Sequence, residues 1–151
     1  MNDFYVALGD NEVVPFTVTD KAQAFLTAHP DLFPASGESA ADGYIDYSLD
    51  TKHVNKNPDS CGDRFMYLDD VYVSQIFETD LTSGLTLTEL NVADINLDQY
   101  YVLYIGKLGG VFEGNEVSVV GLPLNTSSFE NTGGGTTLVI VLAGSYIQKL
   151  D

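Results

Sequence analysis

Apolar and polar residues alternate along most of this chain. Phe4, Val6 and Leu8 share one face of a short strand, and a second run over 13–18 follows the turn residues Gly9, Asp10 and Asn11. Pro15 has no amide hydrogen to give to a neighbour, so this second strand belongs at a sheet edge. The period then changes once. Ala22, Phe25 and Leu26 are spaced for one face of a helix, Asp20 stands where a cap is needed, and Pro30 forbids continuation beyond His29.

Two prolines, Ser, Gly and several acids make 30–43 a surface loop. Alternation resumes over 44–49, where Ile45, Tyr47 and Leu49 oppose Tyr44, Asp46 and Ser48, and the polar stretch 50–64 reads as a second loop. Strand character returns over 65–78, with Asp69 and Asp70 marking a bulge. Between 85 and 97 apolar residues recur every five positions, in SGLTL, TELNV and ADINL. Such a short run cannot stack into a solenoid, so it predicts two short strands and a turn. Further strands are expected over 100–105, 111–122 and 136–150, separated by GKLGG and NTSSFENTGGG.

About eight strands and one short helix describe a mostly β, single-domain protein over 1–151, best built as an antiparallel β-sandwich or jelly roll whose two sheets bury each other's apolar faces. A flattened barrel is the alternative.

Composition agrees that the chain folds: 44% of residues are apolar and 11% aromatic, which outweighs a net charge of -16. That charge arises from 22 acidic against 6 basic residues, and Arg64 is the only arginine. Nucleic-acid affinity comes largely from cations displacing counterions, so neither nucleic acid nor an anionic membrane is expected as a partner. Solubility is the plain reading of the acidity, beside avoidance of packed nucleic acid and mimicry of DNA. The apolar run 138–144 is far shorter than the ~20 residues of a membrane helix. Cys61 is the single cysteine, so no disulfide framework exists, and MNDFYVALGD lacks the basic start and apolar centre of a signal peptide. The expected location at synthesis is cytoplasmic.

Candidate chemistry gathers in the 50–64 loop. His53, Cys61 and Asp63 are the residue types of a base, a nucleophile and an orienting group, but no motif frames them and one loop rarely fixes three groups for catalysis; no enzyme is expected. Asn55, Asn57, Asp59 and Asp63 alternate so that their oxygens can converge on calcium, the one cofactor suggested, and Asp94, Asn96 and Asp98 repeat the pattern. Both segments lack the glycine and terminal acid of an EF-hand loop, and alternating acids and amides also mark any solvated turn. Lys52, Lys56 and Arg64 form a basic spot that either pairs locally with Asp50, Asp59 and Asp63 or meets an acidic patch on another copy. Tyr100, Tyr101 and Tyr104 are binding candidates, because successive strand residues cannot all face one core.

These features together predict a non-enzymatic structural or assembly protein, acting through contacts with itself or other structural proteins as a homo-oligomer. A viral capsid, decoration or tail component, located in the virion, fits that description. The alternative is a small carbohydrate- or ligand-binding β-sandwich, calcium-dependent through the 55–63 loop.

Overall fold

The computed structural model describes residues 17–81, 84–130 and 133–150, so the strands expected over 4–8 and most of 13–18 lie outside the described residues. The chain is mostly β, built on five strands: β1 (Met66–Asp80), β2 (Thr86–Ala93), β3 (Gln99–Ile105), β4 (Glu116–Glu130) and β5 (Thr136–Lys149). Their order is β1-β2-β3-β5-β4, and pairing of β1 with β4 closes the barrel. Every pair is antiparallel except β3 and β5, which run parallel with Tyr100 opposite Ile140.

A closed barrel replaces the expected pair of facing sheets because β1 is long and bent. Its first half pairs with β4 up to Tyr72 and its second half with β2 from Tyr72 onward. Register shifts between Leu68 and Val71 and between Val73 and Gln75 place bulges on both sides of that handover, and bulges are what let a strand turn a corner. Fewer, longer strands then close the same core that more, shorter ones would sandwich.

Two apolar layers result. Val71, Val73, Leu90, Val92, Tyr100, Val102, Val117, Val119, Ile140 and Leu142, drawn from all five strands, fill the barrel. On the outer face of β3, β4 and β5, Tyr101, Leu103, Leu122, Leu124, Val139 and Val141 pack against Ala22, Phe25, Leu26, Leu32, Phe33 and Ala41 of the segment preceding the barrel. With both faces of β3 and β5 covered, the runs YYVLYI and VIVLAG need no polar side.

The preceding segment carries α1 (Asp20–Ala28), α2 (Glu38–Asp42), α3 (Thr51–Lys56) and short 3-10 turns at Pro30–Leu32 and Pro58–Ser60. Thr19 rather than Asp20 caps α1, its Oγ1 accepting the Ala22 amide at 3.4 Å. The 44–49 strand expected from alternation is a turn. After Tyr44 and Asp46 exchange backbone hydrogen bonds with Phe65, Asp46 Oδ1 accepts both the amide (2.9 Å) and the hydroxyl (2.5 Å) of Ser48, which bends the chain away. Asp50 then accepts the His53 amide at 3.0 Å and starts α3 inside what the sequence presented as a loop. Gly62 lies hard on α1: a Cβ there would sit 2.5 Å from the Ala22 nitrogen.

Candidate functional site

Four segments meet at one end of the barrel around a cleft of about 340 Å³. The turn before α3 and its first residues supply Tyr47, Asp50, Thr51 and Lys52; β1 supplies residues 66–71; the turn between β2 and β3 supplies Asp94, Asn96 and Asp98; and Tyr100 comes from β3. Five aspartates, at 50, 69, 70, 94 and 98, thus line a space in which Lys52 is the one basic side chain.

The wall at 94–98 is a turn closed by hydrogen bonds. Asp94 Oδ1 accepts the amides of Asn96 at 2.9 Å and Asp98 at 3.0 Å, and Leu97 closes the turn at φ 66, a left-handed conformation unusual for leucine. Asp94 Oδ2 accepts the Tyr100 hydroxyl at 3.2 Å. The same hydroxyl is hydrogen-bonded to Thr51 Oγ1, so one phenol ties the start of α3 to the 94–98 turn. Burial pushes the Tyr100 phenol well above its usual range, partly offset by the Thr51 bond and reinforced by the Asp94 charge. It therefore stays protonated and keeps its hydrogen for Asp94.

The carboxylates differ in environment. Burial first, and then the neighbouring Asp94 charge, raise the Asp98 carboxyl above its ordinary value, against the pull of Lys52. Hydrogen bonds from His53, amide first and then ring, lower Asp50. Tyr47 is 72% exposed at the rim, its ring 5.6 Å from that of Tyr67. Such a surface attracts cations and hydrogen-bond donors and repels phosphate.

The residues singled out in the sequence are distributed otherwise. Tyr100 and Tyr101 are only 1% and 4% exposed, and Tyr104 is half-buried. The expectation that neighbouring tyrosines must be wet fails because β3 has a core on each side. Tyr100 lines the cleft and its hydroxyl bonds Asp94, while the Tyr101 hydroxyl bonds Glu89. Asn55 lies on α3, Asn57 ends it, and Asp59 lies in the following 3-10 turn. Asp63 is ion-paired, with Arg64 Nη1 at 2.9 Å and Lys21 Nζ at 3.6 Å. Among the described residues no three His, Cys, Asp or Glu side chains converge to hold a metal ion.

Arg64 also places Nε 3.1 Å from Asp46 Oδ2 as an ion pair without a hydrogen bond, so local pairing accounts for this member of the basic spot. Lys52 faces the cleft, and Lys56 is exposed at the end of α3. His53 Nδ1 lies 2.6 Å from Asp50, whereas Cys61 is buried with its Sγ 3.4 Å from the Asn57 carbonyl oxygen. These two and Asp63 thus have separate partners.

The five strands form a closed barrel in which β3 and β5 are the parallel pair. Tyr101 and Leu103 of β3 pack in the layer that α1 covers, and architecture alone does not assign a ligand. No protein-family model matches this chain, and no curated protein matches it.

Proposed function

We propose that this chain is a non-catalytic binding module acting through protein–protein contact, with its acidic cleft holding a lysine- or arginine-rich segment of a partner. The observation that carries this reading is the concentration of Asp50, Asp69, Asp70, Asp94 and Asp98 around about 340 Å³ of open space with Lys52 as the only basic group in the lining. On a molecule of net charge -16 the same field draws in a basic partner from a distance and speeds encounter. A second copy would bring a like charge, so the partner favoured by electrostatics is a different protein. Such pairing would serve a virion assembly as well as any other.

A carbohydrate reading is favoured by one specific feature, the exposed Tyr47 ring beside Tyr67 above a carboxylate-lined cleft. Isothermal titration with oligolysine at low and high salt, beside a glycan array, separates the two. Salt-sensitive oligolysine binding supports the proposal. Absence of oligolysine binding together with glycan retention replaces it by the carbohydrate reading.

A further inference from the structure

The cleft is bounded by a strand seen edge-on. Residues 66–71 of β1 all line it, from the buried Met66 and Leu68 through the bulge at the exposed Asp69 and Asp70 to Val71, as fits a strand whose open edge borders the space. Ladder pairing agrees. On one side, Met66, Tyr67 and Leu68 pair with Gly121, Val120 and Val119 of β4. On the other side, the 44–46 segment pairs at Phe65 and then turns away at Asp46, and β2 pairing begins only at Tyr72 opposite Ala93. Between these points the described residues supply no ladder partner on the cleft side of β1. In an antiparallel strand alternate amides and carbonyls point to each neighbour, so this edge offers backbone donors and acceptors to whatever lies in the cleft.

Resting on the proposed function, we infer that the partner segment binds in extended form, adding a short strand to the open edge of β1. Strand addition takes its affinity from main-chain hydrogen bonds and its selectivity from alternate side chains. Here selectivity comes from charge. Asp69 and Asp70 stand exposed at the bulge, and Asp94 and Asp98 line the same cleft, so a segment with lysine or arginine at every second position is complementary. The same acids discourage pairing between two copies of this chain, the usual hazard of an open edge. The gap spans about 20 Å of extended chain, enough for about six residues.

The test leaves the protein unaltered and varies the probe: a peptide of alternating lysine and threonine of about six residues, and a set of derivatives each N-methylated at one backbone amide. Strand addition predicts that methylation weakens binding about threefold to tenfold at alternate positions and has little effect at the intervening ones. Uniform tolerance of methylation, with the parent peptide bound, overturns strand addition and leaves the acidic cleft as a site for a cationic segment standing. No binding of the parent peptide overturns both.

Discussion

Replacing Tyr100 by phenylalanine isolates the hydroxyl that joins α3 to the 94–98 turn. The ring, buried in the barrel, keeps its apolar contacts, while Thr51 Oγ1 and Asp94 Oδ2 each lose a partner. A neutral hydrogen bond contributes about 1 kcal/mol net, and one to a carboxylate about 1.5–3 kcal/mol. Asp94 is only partly buried and water can replace the phenol there, which lowers the second contribution; the expected total is about 1–2.5 kcal/mol. For a domain of this size that corresponds to a fall in melting temperature of roughly 3–8 °C. Calorimetry and urea unfolding of Tyr100→Phe measure it, and a double-mutant cycle with Thr51→Val should give a coupling of about 1 kcal/mol. An unchanged melting temperature, or strictly additive effects of the two substitutions, would refute the bridging role.

Leu142→Ala removes a fully buried side chain from the barrel interior and should cost about 2–5 kcal/mol in denaturant unfolding; a loss below 1 kcal/mol would mean that position does not face the core. Gly62→Ala forces a methyl group toward the α1 backbone and should destabilise by about 1–3 kcal/mol, read by the same method. Asp98 has a raised folded-state pKa, so ionising it costs stability: its contribution is intact below the unfolded value near 3.8 and is lost as pH rises through the folded value. Asp98→Asn should therefore be more stable than the parent chain at neutral pH, with the advantage vanishing in acid; a thermal unfolding series against pH checks the sign.

The sequence marked β1, β3, β5 and α1 where they occur, because each has a clear period or an unbroken apolar run bounded by turn residues. It failed over 44–64, where short side chains decide the backbone: Asp46 folds onto Ser48 and Asp50 onto His53, local bonds that outcompete an alternating pattern. Alternation misleads at Tyr100 and Tyr101 for a different reason. Alternation reports burial only when one face of a strand is wet, and the α1 layer removes that condition. The NTSSFE stretch, expected as loop, continues β4 as far as Glu130.

The cleft is the feature least legible in the sequence. Its aspartates come from positions 50, 69, 70, 94 and 98, which only the barrel closure and the bend in β1 bring together. Asp94, Asn96 and Asp98 did stand out as alternating oxygens, but Asp94 uses one of them to build a turn, and the proposed use of this wall is attraction of a cationic segment.

Backbone amide shifts of the isotope-labelled chain, followed while the alternating lysine–threonine peptide is titrated in, decide whether the acidic cleft and the open edge of β1 hold a cationic segment. Binding there gives saturable changes concentrated at 67–70 and 94–98, weakened by salt and by Asp69→Asn with Asp70→Asn. Changes that are absent, or that fall on the far end of the barrel and ignore both substitutions, would contradict it.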